Sequence, residues 1–419
     1  MLQRKPLWQA FISLSIANLF SKLGNVVSEI AIPLFVYQMT ESSMVTAGVA
    51  ITAQLSNIIV GVFSGPLIDR FSARKVSVIC DAINALAILL IPLFYSLEIL
   101  DVTLLAGLVM LSKFIDVPGE TAKAVLLPAL ISRDSLPRER VNGITAGLDN
   151  IADLAGPSLV GLLLAITGTL YVLVVDAISF LVSALIIGLL LRKYGVKDNI
   201  ATEKTNRQIY GRGWQLIRQH PSIWRLAVYS MLINLVAVSL LSLTLQVVSQ
   251  QSEISSIWLG IWFSSFAAGT GLTTLGYTFF GQRLSHLRML QITPIGQAVG
   301  LILFAIAIFL GPQWFNNHIW PAIAALSLFV YGLNLGVGSV IDNTLLQQWV
   351  PENVRGTVFS LFSSLRFTAV PLGLLIAGYC LDAEMTTWLF FFFIITLLIA
   401  TSLWLRASNY ESVSVAGEN

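Results

Sequence analysis

Apolar runs of about twenty residues recur along this chain, each long enough to cross roughly 30 Å of hydrocarbon as a helix. Twelve of them are centred near Asn18, Ser56, Leu86, Ser112, Ala155, Val182, Asn234, Gly269, Gly300, Leu333, Phe367 and Ile394. Inside a bilayer every backbone N–H and C=O needs a partner within the chain, so the runs predict an all-α membrane protein. Composition agrees. Of 419 residues, 56% are hydrophobic and only 11% charged, with a mean hydropathy of +0.81, whereas a soluble domain carries about a quarter charged residues. An ordinary cytosolic enzyme is excluded.

The basic residues give an orientation. With both termini inside, the cytoplasmic segments hold 19 of the 24 Lys and Arg residues and the outer loops hold none. Short loops rich in Lys and Arg stay cytoplasmic, so twelve transmembrane helices are expected, N-in and C-in, in the plasma (inner) membrane. The formal net charge of +2 says little about partners. The start, "MLQRKPLWQAFISLSIANLF", has the basic-then-apolar profile of a signal peptide. The run continues past Asn18 and Lys22 without a small-residue cleavage site, so it reads as an uncleaved first span. Cys80 and Cys380 fall near opposite membrane faces, and no disulfide is expected.

One long polar stretch, residues 192–222, divides six spans from six. It is the expected cytoplasmic linker between an N-terminal bundle, 1–191, and a C-terminal bundle, 223–419. Its second half, "GRGWQLIRQHPSIW", spaces aromatic and basic residues as a helix would along the inner interface. A weak repeat relates the halves. Aligning 278–288 with 65–75 matches Arg283 to Arg70, Ser285 to Ser72 and Arg288 to Lys75, with Gln282 in the place of Asp69. Repeated six-span halves with a site near midplane are a common transporter plan.

The segment "GPLIDRFSARK" resembles the G-x-L-x-D-R-x-G-R-[KR] signature of the major facilitator superfamily. Gly65, Leu67, Asp69, Arg70 and Arg74 match; Ser72 and Ala73 depart. In the fifth span Gly143, Gly156, Pro157 and Gly161 resemble that family's antiporter motif, with Ala152 and Val160 in place of two glycines. Longer stretches, such as "SKLGNVVSEIAIPLFVYQMTESSM" and "QQWVPENVRGTVFSLFSSLRFTAVPLGLLIAG", are similar to the branch of macrolide-efflux permeases and enterobactin-type siderophore exporters. The resemblance implies two pseudo-symmetric six-helix bundles, a cavity walled by spans 1, 4, 7 and 10, and export. It also implies a cytoplasmic latch of Gly65, Asp69, Arg70 and Arg74, in which Asp69 meets the positive N-terminus of span 11.

A charge at mid-bilayer costs about 2.5–3.5 kcal/mol, so such residues normally face a cavity or a partner. Asn18, Lys22, Asn25 and Glu29 share one face of span 1, and Lys113, Asp116, Glu120 and Lys123 share one face of span 4. Pro118 and Gly119 are expected either to interrupt span 4 or to be a tolerated kink. Burial and a neighbouring lysine pull a carboxylate's proton affinity in opposite directions, so its occupancy can follow which side of the membrane is open. The proton-coupling candidates are Glu29, Asp116, Glu120 and, in span 5, Asp153. Static ion pairs, Lys22 with Glu29 or Lys113 with Asp116, are the competing reading. Asn18, Lys22, Asn25, Lys113, Asn234, Tyr331 and Asn334 are the cavity or substrate candidates, while Asp176 is expected to be structural and Asp342 to lie near the inner end of its span.

No Lys follows a Gly anywhere, so a phosphate-binding loop is missing and direct ATP hydrolysis is not expected. His220, His286 and His318 lie apart, and neither a metal site nor a nucleophilic triad is expected. The expected function is a proton-coupled exporter of a small amphipathic organic compound, such as a drug, macrolide or siderophore. It would work as a monomer, with the bilayer, protons and a small-molecule substrate as partners, no nucleic acid and no cofactor. A lysolipid flippase or an importer is the alternative within transport, and a membrane enzyme or a non-transporting scaffold the alternative outside it.

Overall fold

The computed structural model describes residues 4–71, 73–131, 138–191, 214–252, 254–280, 285–316, 318–350 and 355–405. Among them the regular structure is helical throughout. The chain forms two compact units, Met1–Glu203 and Lys204–Asn419. In the first, α1 is Arg4–Thr40, α2 Ser43–Phe71, α3 Ala73–Ser96, α4 Val102–Ile131 and α5 Arg138–Thr167; α6, Thr169–Leu185, runs on into a π turn, Ile186–Leu191. In the second, α7 is Pro221–Gln251 with a π turn at Leu240–Thr244, α8 Ser256–Phe280, α9 His286–Phe309 and α10 Ile319–Trp349. Then α11 comes in two pieces, Arg355–Leu365 and Val370–Asp382, and α12 is Thr386–Leu405. Eight helices among the described residues are long and apolar enough to cross a membrane, and Ser43–Ser56, Gly156–Thr167 and Val370–Asp382 are shorter apolar pieces.

Local signals explain the short connections. After α1, Ser42 caps α2, its Oγ accepting from Val45 N at 3.2 Å. After α3, Asp101 caps α4, its Oδ1 accepting from Leu104 N at 2.7 Å. Each side-chain oxygen satisfies a backbone donor that the first turn of a helix leaves open. Between α5 and α6 a single residue, Gly168 at φ 78°, makes the turn, a conformation that costs glycine little.

The units share one packing plan. In the first, α1 packs on α5 and α6, α3 on α4 and α6, and α2 on α4. In the second, α7 packs on α11 and α12, α9 on α10 and α12, and α8 on α10. Adding six to each number of the first set yields the second, so the weak sequence repeat corresponds to a repeated arrangement of helices. Between α8 and α10 the backbones meet at glycine: a Cβ on Gly269 would strike the Phe329 carbonyl, and one on Gly332 the Phe266 carbonyl. Thr270 Oγ1 donates across this contact to the Gly332 carbonyl at 3.2 Å. Small residues that admit such approach are how helices associate where lipid removes the hydrophobic drive.

Two expectations fare differently here. The segment 65–75, which carries the expected cytoplasmic latch, is not an open loop but helical on both sides of residue 72: α2 continues to Phe71 and α3 begins at Ala73. Nothing between Leu67 and Phe71 disfavours a helix, since Asp and Arg break none. Nor do Pro118 and Gly119 interrupt α4, which is continuous from Val102 to Ile131. Of the linker, 192–213 lie outside the described residues, 214–219 are helical, and α7 begins at Pro221.

Candidate functional site

The first unit is threaded by polar side chains. Ser21, Gly24 and Ser28, at offsets of three and four along α1, bring three neighbours close. Ser21 Oγ accepts from Lys123 Nζ of α4 at 2.6 Å. Ser28 Oγ donates to Asp176 of α6. A Cβ on Gly24 would overlap Ser179 and Asp176 of that helix. Asp176 therefore joins α1 to α6.

Lys123 has a second partner. Its Nζ lies 2.8 Å from Asp81 Oδ1 of α3, with both side chains 3% exposed, and Ser183 of α6 donates to Asp81 Oδ2 at 2.6 Å. One buried ion pair thus ties α1, α3, α4 and α6 together. Gly119 makes room for it: a Cβ there would sit 3.0 Å from Cys80 Cβ and 3.7 Å from Asp81 Oδ1. Asp81 and Ser183 were not singled out, although Ser77, Asp81 and Asn84 on α3 and Asp176, Ser179 and Ser183 on α6 recur at helical spacing, a signal that could have found them.

Asp116, two helical turns before Lys123, is held differently. It is buried; Lys113 Nζ stands 3.7 Å away and Asn84 Nδ2 3.4 Å away. Asn84 is itself fixed by Ser112, whose hydroxyl donates to the Asn84 carbonyl. Hydrogen bonds weaken steeply with length, so Asp116 is a buried carboxylate with long contacts, where Asp81 has short ones. On the neighbouring face of α4, Glu120 is exposed and accepts from Asn25 Nδ2 of α1 at 2.6 Å. Asn25 Oδ1 is buried and unpartnered.

The structure places the remaining candidates as follows. Asn18 and Lys22 are half-buried on α1 and Glu29 is exposed. Gly156, Pro157 and Gly161 are buried in α5, and a Cβ on Gly156 would lie 3.1 Å from Val26 Cγ1 of α1, so this part of the motif sits at the α1–α5 contact. Gly143 is helical within α5; what surrounds it, and the side chain of Asp153, lie outside the described residues. Gly65, Asp69 and Arg70 fall in the last turns of α2, with side chains likewise outside, and Arg74 is half-buried in the first turn of α3.

In the second unit Asn234 and Asn334 donate to their own helices, to the Ser230 carbonyl at 2.7 Å and the Val330 carbonyl at 2.8 Å. Tyr331 is fully buried, its ring 6.1 Å from that of Phe266 and its hydroxyl unpartnered. Asp342 on α10 accepts from Ser230 of α7, its other oxygen is buried and unpartnered, and Arg366 acts on it electrostatically. The second unit thus ties α7 to α10 through one acid, while the first runs charge through four helices.

Residues 14–366 match the family described as the Major Facilitator Superfamily. The chain is 28% identical over 377 residues to "Multidrug efflux pump Tap" of Mycolicibacterium fortuitum, covering 88% of each. It is 22% identical over 369 residues to "Macrolide efflux protein A" of Streptococcus pyogenes, covering 86% of this chain and 87% of that one. Its fold is similar to the crystal structure of nucleoside transporter NupG, with TM-score 0.75, 12% identity, and coverage of 94% of this chain and 98% of that one. Because the family match runs through both units rather than resting on one motif, the chain belongs to the major facilitator superfamily and is an integral, multi-pass plasma-membrane transporter.

Proposed function

We propose that this transporter is a proton-coupled exporter of a small amphipathic organic compound, and not an enzyme. The two units, bundles 1–191 and 223–419 joined by 192–222, would alternate access, with both termini cytoplasmic and the monomer as the working form. The drug and macrolide efflux named for its relatives supports export. The observation that carries proton coupling is Asp116: a buried carboxylate whose nearest cation, Lys113, stands at 3.7 Å, one helical turn from Glu120 and its short bond to Asn25. Asp116 is held only by long contacts, which can rearrange without breaking a tight pair, whereas Asp81 sits 2.8 Å from Lys123.

In everted vesicles with an acidified interior, adding an exported drug should release protons to the medium. Asp116→Asn should abolish the release while leaving the protein at normal abundance, and Glu120→Gln should reduce it. Undiminished release in both variants would remove these acids as carriers. Drug accumulation without any proton movement would remove the coupling itself.

A further inference from the structure

The end of the first unit where α1 and α3 finish and α4 begins holds a cavity that the transport reading does not use. It measures 650 Å³ and is walled by Met39, Tyr95, Glu98, Asp101 and Leu170, among others. A second hollow of 260 Å³ adjoins it, sharing Met39, Tyr95 and Leu170 and adding Tyr171. Among the described residues neither lining contains a Lys or an Arg. The Tyr95 ring is fixed edge-to-face on Phe35, with centroids 5.3 Å apart, and Tyr171 is 68% exposed.

Glu98 stands there against local preference. Ile99 N donates to the Phe94 carbonyl at 3.1 Å and Glu98 N to the Tyr95 carbonyl at 3.0 Å, the paired bonds that close a helix through a left-handed residue. That residue is usually glycine, as Gly168 is after α5, yet here it is Glu98 at φ 59°. A carboxylate at a helix C-terminus also meets the negative end of the dipole. The exposed Glu98 side chain lines the larger cavity. Asp101 spends one oxygen on the cap of α4.

A fixed aromatic ring, a carboxylate and an apolar floor form a recognition set for an organic ammonium group carrying an alkyl or aryl tail. The geometry points to a binding site for an amphipathic organic ammonium in this cavity, its head between Glu98 and Tyr95 and its tail along Met39 and Leu170. Two sources share that chemistry: a free amphipathic amine and the headgroup of an aminophospholipid. The site does not depend on proton coupling or on the direction of transport.

The test is equilibrium dialysis of radiolabelled decyltrimethylammonium against the purified full chain in maltoside micelles at low salt. Saturable binding should weaken about tenfold in Glu98→Gln and about fivefold in Tyr95→Leu. Glu98→Gly suits the left-handed turn, so it should lose binding equally while melting no lower than the parent; Glu384→Gly, the same turn position after α11, should bind like the parent. Displacement by added phosphatidylethanolamine but not phosphatidylglycerol identifies the lipid headgroup as occupant, and equal tolerance of both lipids identifies the free amine. Parent-like binding in Glu98→Gly, or absence of saturable binding by the parent, overturns the site.

Discussion

Lys123 and Asp81 meet at 2.8 Å with almost no exposure, and the energetics of such a pair turn on what is left when one partner goes. Both charges have been taken from water, and each oxygen or ammonium hydrogen that finds a partner recovers part of that cost. Lys123 has Asp81 and Ser21; Asp81 has Lys123 and Ser183. Asp81→Ala should therefore strand a buried ammonium and destabilise the first unit by about 3–5 kcal/mol, read as a lower melting temperature in detergent. The double replacement Asp81→Leu with Lys123→Met should recover most of that loss, because neither charge remains to be solvated. If the double variant melts as low as the single one, the pair matters for its shape and not its charge. Periodicity made the α4 stripe of Lys113, Asp116, Glu120 and Lys123 legible from the sequence. It could not show that the stripe divides, Asp116 turning to α3, Glu120 to α1 and Lys123 to both; that depends on residues more than thirty positions away.

Helix α8 shows how much an element's packing depends on which glycine is concerned. Gly269 and Gly271 are two residues apart, so they point to different sides of one helix. A Cβ on Gly269 would strike α10 backbone, whereas one on Gly271 would meet nothing within 4 Å. Gly271→Ala should accordingly leave the melting temperature unchanged or raise it, since alanine is favoured over glycine in a helix by about 1 kcal/mol. Gly269→Ala should lower it by the equivalent of about 1–3 kcal/mol, because the α8–α10 contact has to open. Equal effects would mean that α8 does not seat on α10 through this glycine. The sequence marks both only as glycines within an apolar run. The π turn in α7 was illegible for a similar reason: Thr244 Oγ1 donates to the Ser239 carbonyl at 3.0 Å and Gln246 Nε2 to the Leu241 carbonyl at 2.8 Å. Both are five-residue reaches that become visible only once the turn has formed.

At the scale of the whole molecule, the long apolar runs made the helices readable, and the echo of 65–75 in 278–288 pointed to a repeat that the shared packing plan expresses in full. Individual residues were poor guides to that repeat, because the α3–α4 contact holds a buried ion pair, whereas at the equivalent α9–α10 contact Gly296 and Gly300 seat against Asn334 and Tyr331. Orientation rests on the basic residues, and parity makes it testable. Ser96 ends α3 and Ser255 follows α7, so α4 to α7 separate them and an even number of crossings returns the chain to the same side; His220, just before α7, must then face the opposite side. All three are exposed, and the native background is simple, since Cys80 is buried and Cys380 can be replaced by Ser. In intact cells an impermeant maleimide should label Ser96→Cys and Ser255→Cys but not His220→Cys, which should react only after permeabilisation. Labelling confined to His220→Cys would invert the orientation. Labelling of both His220→Cys and Ser255→Cys in intact cells would mean that α7 does not cross, and with it the pairing of the six-helix units would fail.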